Sequence, residues 1–357
     1  MEPCRKALFV DDHATFSVRD RNADYLVGNG EVLVENLFSG VNPADVKHAT
    51  LLGIRNTVLG YDFCGHVVKT NHESNFTVGN IVAGYTPSGV GRDSKFGTHQ
   101  AFTVLPESML FKVPTNLPHE DAACLTVVTM TAADALFNVF DVPLPAPSTR
   151  NDANDGTGPL LIWGASSSVG SCALQFAAAS GCYPIFVTAS TARHENLQAL
   201  GATRCFDYSS PAVLEEIREA LESLQSGPIQ YAIDAVGTDP NPLAADGIES
   251  ILSPKAKLIS VVLRNDERFK MPTATPHLDF RIHPAGLPHA ITIPGRPEAR
   301  QKAWAALLWA IENYGRLFKL PPVEVFRGSA EEALEELQKV ANGRRGYGKL
   351  AIPQPLK

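Results

Sequence analysis

The sequence has few cysteines, and they form no metal or redox motif. The six, Cys4, Cys64, Cys124, Cys172, Cys182 and Cys205, are dispersed over 357 residues without a C-x-x-C pair. Several fall inside apolar segments, so they are expected as buried free thiols in a reducing compartment. Positive charge is not in excess: 31 Lys and Arg face 38 Asp and Glu, a net charge of -7. No basic stripe is interleaved with aromatics, so nucleic acid is not an expected partner. No apolar run approaches the length of a membrane span, and no membrane partner is expected. The opening Met1-Glu2-Pro3-Cys4-Arg5-Lys6 leads into a short apolar run that soon meets Asp11-Asp12, which does not read as a signal peptide. The expected location is cytoplasmic, where the sequon Asn75-Phe76-Thr77 carries no meaning. Internal repeats and low-complexity segments are missing as well.

What is present describes a globular chain long enough for two domains, each with a core. Its most informative stretch runs from Gly158 to Ser171. Leu160 to Trp163 is a short apolar run, read as a buried strand. A small-residue turn follows, and Ser168 to Ser180 has helical periodicity. Strand, tight turn and helix begin a dinucleotide-binding βαβ unit, in which backbone N–H groups at a helix N-terminus meet a pyrophosphate. Gly164 and Gly170 keep the outer glycine positions, while Ser167 and Ser168 stand where glycines are common. Pro184 to Ala189 reads as a second strand. An NAD site has Asp or Glu about 20 residues after the glycine turn. That place holds Ser190, followed by Thr191, Arg193 and His194. A carboxylate would repel a 2′-phosphate, whereas a hydroxyl with a nearby Arg binds one, so NADPH is the expected cofactor.

Before this unit lie many short strands with glycine turns, which predict a mainly antiparallel β domain. They are Lys6 to Val10, Phe16 to Arg19, Glu31 to Phe38 with Val32, Val34 and Leu37 alternating, Leu59 to Val68, Phe76 to Gly84, and Phe96 to Val104. Pro43 should open a short helix carrying Asp45 and Lys47. Pro118 to Phe140 reads as helical with a break near Thr129. Pro143 to Gly158 reads as an exposed loop. After the βαβ start, strands (205–208, 229–235, 257–262) alternate with helices (212–224, 242–252), which implies a doubly wound parallel sheet. Leu278 to Arg296 is loop-rich. Glu298 to Tyr314 reads as an amphipathic helix, Val323 to Phe326 as a strand, Ala330 to Ala341 as a last helix and Gly348 to Ile352 as a last strand.

The order of these pieces resembles the medium-chain dehydrogenase/reductase superfamily. The landmarks are Gly40-Val41-Asn42-Pro43-Ala44-Asp45, Gly60-Tyr61-Asp62-Phe63-Cys64-Gly65, Val78 to Gly84, Gly97-Thr98-His99-Gln100-Ala101, Thr131-Ala132, Gly164 to Gly170, Leu200-Gly201-Ala202 through Tyr208, and Gly346 to Leu350. The resemblance implies an α/β fold: a doubly wound parallel Rossmann sheet for NADP(H) over 143–287, and a mainly antiparallel β (GroES-like) catalytic domain over 1–142 and 288–357. The zinc enzymes of that superfamily carry a Cys before the first short helix and a Gly-His-Glu motif. Here those places hold the Val41-Asn42-Pro43 region and Gly60-Tyr61-Asp62, and the four-cysteine structural lobe is missing. His277, His283 and His289 read as loop histidines. No metal is expected.

Within the superfamily the chain is most similar to trans-acting enoyl reductases of fungal iterative polyketide synthases. The features are Asn42 through His48, the serine-substituted turn, the 143–158 loop, Gly295-Arg296-Pro297-Glu298 and Tyr314-Gly315-Arg316-Leu317. That resemblance implies NADPH-dependent reduction of an α,β-unsaturated acyl thioester on a partner synthase's acyl carrier domain, by a monomer or homodimer. Lys47 is then expected to orient substrate, polarise the carbonyl or relay the proton, and Thr131 to sit by the nicotinamide. Tyr61 and Asn42 are lesser catalytic candidates. Asn42, Pro43, Ser166, Ser167, Ser168, Val169, Ser190, Arg193, His194, Tyr208 and Lys349 form the expected cofactor set. Two alternatives stay open: a stand-alone NADPH-dependent quinone or enone reductase of the same superfamily, and a non-catalytic relative that binds NADPH.

Overall fold

The structure, a computed structural model, describes residues 5–21, 25–71, 73–145 and 158–357. Cys4 and most of the expected loop over 143–158 lie outside them. The chain divides into two compact units, Met1–Val127 with His277–Pro297 and Pro322–Lys357, and Val128–Pro276 with Glu298–Pro321. The sequence reading placed boundaries at 142/143 and 287/288. The first structural division instead falls inside a helix, where no turn chemistry marks it. The second unit also takes back the helix Ala299–Glu312, because Trp309 packs on Phe176 (6.0 Å between ring centroids) and Asn138 Nδ2 donates to Ala299 O.

The first unit is mainly antiparallel, as its short alternating strands predict. Its larger sheet has the order Val323–Val325, Lys349–Pro353, Glu31–Gly40, Asp62–Lys69, Ile81–Tyr85, Leu110–Lys112, with Phe102–Pro106 also paired to Glu31–Gly40. The pair Val323–Val325 and Lys349–Pro353 is parallel. A smaller sheet joins Arg5–Val10 to Phe16–Arg21 and Thr57–Val58. Along Glu31–Gly40 the buried positions are Val32, Val34, Asn36, Ser39 and Gly40, and Leu37 is not among them. The pairing register shifts between Asn36 and Phe38, so a bulge leaves Leu37 out of the alternation. Inside, Asn36 Nδ2 donates to Thr98 O, Gln100 O and Thr103 Oγ1, while its Oδ1 is buried without a hydrogen-bond partner. The reading of 96–104 as one strand also changes: Ser94–Phe96 is a helical turn and the strand is Phe102–Pro106.

The second unit is a six-stranded parallel sheet in the order Arg204–Phe206, Ile185–Thr188, Leu160–Trp163, Ile229–Asp234, Leu252–Ser260, Phe269–Lys270. Helices Ser168–Ala179, His194–Ala199 and Val213–Leu224 join its strands. The segment 242–252, read as a helix, is two short helical turns, Pro242–Ala244 and Ile248–Ser250, separated by Gly247 in the left-handed region. The helix His119–Ala133 shows no break at Thr129; it continues as the π-helical Asp134–Val139. There Asp134 is buried and accepts from Asn138 Nδ2 and Thr273 N. This helix, His119–Val139, has the length and apolar character of a membrane span, contrary to the sequence reading. Its most apolar window is 83% buried inside the protein, which accounts for the composition.

Candidate functional site

In the second unit the nucleotide turn grows from its backbone. Gly164 sits at φ +79, and a Cβ there would stand 2.0 Å from Val236 Cγ2. Gly170 lies against the turn itself, where a Cβ would meet Gly164 O at 2.7 Å. These two glycines are sterically required. Ser167 is extended (φ -65, ψ 158), so it needs no glycine. Its Oγ accepts from Gly170 N and caps the helix Ser168–Ala179. The turn is pinned to the neighbouring strand because Gly164 N donates to Thr188 O and to Thr188 Oγ1.

The register lines up the strand ends. Thr188 pairs with Trp163 on one side and Phe206 on the other. Ser166 to Val169, Ser190 to His194, and Tyr208 therefore follow three adjacent parallel strands at their carboxyl ends. That is where open α/β sheets bind ligands. Ser190 and Arg193 are half-buried. His194 Nε2 lies 3.1 Å from Ala189 O. Tyr208 is 54% exposed, which rules out the core packing that a strand-end aromatic would otherwise have.

In the first unit Pro43 caps the helix Ala44–Leu51 and is itself exposed. Next to it lies a buried polar network. Lys349 Nζ donates to Asn42 Oδ1 (2.7 Å) and Val41 O (2.8 Å). Asn42 Nδ2 donates to Asp62 Oδ2 at 2.9 Å, and Val127 N to Asp62 Oδ1 at 2.8 Å. Asp45 Oδ2 accepts from Asn42 N and lies 3.1 Å from His99 Nε2, whose Nδ1 lies 2.8 Å from Ser39 Oγ. Burial pushes the Asp62 carboxyl up to about 7, against the Lys349 charge and the Asn42 and Val127 hydrogen bonds. Asn42 and Lys349, expected at the cofactor, are thus both buried and joined to each other.

A second polar cluster is more open. His48 Nδ1 lies 2.9 Å from Tyr61 Oη, and Ser88 Oγ lies 3.4 Å from both. The His48 ring stands edge-on to Tyr61 (5.1 Å) and beside Phe280 (5.6 Å). Behind it, the Arg92 guanidinium covers the Tyr61 ring at 4.4 Å and donates to Val58 O, Gly60 O, Thr86 Oγ1 and Phe96 O. The surrounding protein pushes the His48 imidazole down to about 4; Asp45 opposes this and Arg92 adds to it. Burial likewise raises the Tyr61 phenol, with Arg92 opposing. At neutral pH the pair is uncharged.

Lys47 is half-buried on the same helix as His48, and Thr131 is half-buried on His119–Ala133. Sequence reading missed Asp62, Asp45, His99, Ser88 and Arg92 as site residues. Asp62 and His99 stood inside quoted landmarks without a role. Arg92 lies in a glycine- and serine-rich loop whose pattern signals only a turn.

One of the two families that match the chain is described as zinc-binding. Zinc needs three or four converging Cys, His or carboxylate donors. Among the described residues no group of three or more His, Cys, Asp or Glu is placed to hold a metal ion. At the usual positions stand Asn42, Tyr61 and Asp62, with Asn42 and Asp62 already bonded to each other. This donor set does not fit zinc.

The alcohol dehydrogenase GroES-like domain family matches residues 28–115 and the zinc-binding dehydrogenase family residues 168–277. The chain is 32% identical over 212 residues to the trans-enoyl reductase himH of Aspergillus japonicus, covering 58% of this chain and 59% of that relative, little more than half its length. It is 26% identical over 361 residues to the trans-enoyl reductase resD of Aspergillus sclerotiorum, covering 97% of each. Among solved structures, a quinone oxidoreductase of Pseudomonas syringae pv. Tomato DC3000 superposes with TM-score 0.71 at 20% identity over 98% of this chain and 99% of that one. The CurK enoyl reductase superposes at 0.67 with 18% identity, over 98% of each chain. At such identities these two likenesses show the fold alone. Both chain halves and the α/β architecture make this chain an oxidoreductase of the medium-chain dehydrogenase/reductase superfamily, related to the fungal trans-enoyl reductases.

Proposed function

We propose that the chain is a trans-acting enoyl reductase, which uses NADPH to reduce an α,β-unsaturated acyl thioester carried by the acyl carrier domain of a partner synthase. The observation that carries this reading is the replacement of zinc donors by the closed Asn42–Asp62–Lys349 network. With no metal donor set among the described residues, the substrate carbonyl would be polarised by side-chain hydrogen bonds, which suits reduction of an activated alkene. The end-to-end likeness to resD supports the same reading.

The amides that open the helix at Ser168 and Val169, beside Ser166 and Ser167, would hold the pyrophosphate. Ser190 and Arg193 would hold the 2′-phosphate, with His194 and Tyr208 at the adenosine end. Bound NADPH supplies a hydride for the β-carbon. Lys47 orients the acyl group or delivers the proton to the α-carbon, and Thr131 fixes the nicotinamide ring.

The test follows NADPH consumption with α,β-unsaturated pantetheine thioesters, simple quinones and free enones. Turnover of thioesters alone supports the reading. Turnover of quinones or free enones alone replaces it with a stand-alone reductase. Absence of NADPH binding overturns the cofactor assignment.

A further inference from the structure

We infer that His48 is the residue that hydrogen-bonds the substrate's carbonyl oxygen, with Tyr61 and Ser88 as its positioning partners. The inference rests on the reading above in one respect, that the reduced alkene is conjugated to a carbonyl.

The geometry of the imidazole carries it. Nδ1 is engaged from within the unit, by Tyr61 Oη at 2.9 Å and Ser88 Oγ at 3.4 Å. Ser88 Oγ donates its single proton to Tyr61 Oη, which leaves the Tyr61 hydroxyl to donate its own proton to an unprotonated Nδ1. With Nδ1 accepting, the ring proton resides on Nε2. Nε2 has no hydrogen-bond partner among the described residues, and His48 is half-buried, not sealed in the core. The ring is held on two sides by Tyr61 and Phe280, which fix its plane. Arg92, buried against the Tyr61 ring, donates to Val58 O, Gly60 O, Thr86 Oγ1 and Phe96 O, which gives the phenol a fixed surface to pack on.

The result is a pre-aimed neutral N–H donor in a desolvated setting. Such a donor strengthens its bond as negative charge grows on the oxygen, and it needs no reorganisation to do so. A neutral imidazole also leaves no full charge to bind the ground state. As hydride reaches the β-carbon, the electron pair of the alkene moves to the carbonyl oxygen as an enolate; the Nε2–H bond stabilises that charge, and the α-carbon then takes a proton. His48 thereby holds the oxygen, which leaves Lys47, the adjacent residue, for the proton or the acyl chain.

The experiment compares wild type with His48→Phe, His48→Gln and Tyr61→Phe, using NADPH with an unsaturated pantetheine thioester and with a simple enone. His48→Phe should lower kcat about 100-fold, the cost of one oxyanion donor, with KM within about threefold. His48→Gln, which keeps an N–H, should retain more of the rate, and the NADPH dissociation constant should stay unchanged in all variants. Tyr61→Phe should lower kcat with a smaller effect than His48→Phe. Wild-type kcat in His48→Phe, or a loss confined to KM, overturns the inference. Turnover of the enone without the thioester removes the acyl-thioester reading, and His48 is then judged on the enone. Nitrogen-15 NMR of the wild-type imidazole at neutral pH gives a readout that needs no variant to fold. A proton on Nε2, with its resonance shifting when the saturated pantetheine thioester is added, supports the inference; a proton on Nδ1 overturns it.

Discussion

Lys349 Nζ stands 2.7 Å from Asn42 Oδ1, across 307 residues of sequence. That bond fastens the last strand, Lys349–Pro353, to the loop that opens the helix Ala44–Leu51. The strand itself pairs antiparallel with Glu31–Gly40, placing Ala351 opposite Gly40. The end of the chain thus holds the element that carries Lys47 and His48 in position. Removing one partner of a buried charged network costs about 3–5 kcal/mol, because the remaining groups lose their compensation. Lys349→Met is therefore expected to lower the unfolding free energy by an amount in that range, read as a lower denaturant midpoint, and to weaken turnover through displacement of the helix. A midpoint equal to wild type would show that the ammonium is dispensable.

The same network predicts a pH dependence. Burial raises the Asp62 carboxyl to about 7, well above the unfolded value of about 4. The folded state therefore holds this proton where the unfolded chain has lost it. The sign is that of a raised carboxylate: its contribution is fully present below about pH 4 and is lost as pH rises through about 7. Asp62→Asn should flatten that part of the stability curve while keeping the bond to Asn42. Unfolding measured between those two pH values checks it, and an unchanged slope in Asp62→Asn would assign the dependence to other groups.

Gly164→Ala tests the turn. A Cβ in the left-handed region costs about 1–2 kcal/mol on its own. Here it would also meet Val236 Cγ2 at 2.0 Å, so Val236 or the turn must move. Loss of stability together with weakened NADPH binding is expected, and Gly164→Ala with Val236→Ala should recover part of both. Binding intact in the single variant would mean that the turn does not shape the nucleotide site.

The parallel sheet was legible because strand, turn and helix follow one another locally, and Leu160–Trp163 and Ser168–Ala179 are found where periodicity put them. The candidate site was legible only in part. Lys47, Asn42 and Tyr61 lie in local motifs. Arg92 and Lys349 acquire their meaning from partners 32 and 307 residues away, and no local pattern encodes such pairs. A continuous helix over 242–252 is broken for a physical reason: Ala245 is extended and ends the first turn, and Gly247 at φ 85 opens the next. Unbroken alternation would place Leu37 in the core, and the bulge after Asn36 interrupts it.

Arg193→Ala separates the two nicotinamide cofactors. A charge-assisted hydrogen bond to the 2′-phosphate is worth about 1.5–3 kcal/mol, which is about 10–100-fold in affinity. NADPH affinity should fall by that factor while NADH affinity stays constant, because NADH has no 2′-phosphate. Titration with both cofactors decides it. An equal loss for the two would assign Arg193 a structural role at the start of the helix His194–Ala199.

Lys47→Ala addresses the chemistry itself. Lys47 is half-buried on Ala44–Leu51, next in sequence to His48. If it delivers the proton or orients the acyl group, the variant loses turnover by about 10²–10⁴-fold, the usual contribution of a positioned acid. NADPH binding should be unaffected, since the nucleotide contacts proposed above belong to Ser166–Val169 and Ser190–Arg193. Proton delivery and orientation then differ in one respect. A small amine added to the Lys47→Ala enzyme can restore a proton but cannot rebuild a tethered contact with the acyl chain. Rescue by amine, with a rate that follows the amine's acidity, assigns Lys47 to the proton; a raised KM without rescue assigns it to the acyl group; full activity without amine removes it from the mechanism.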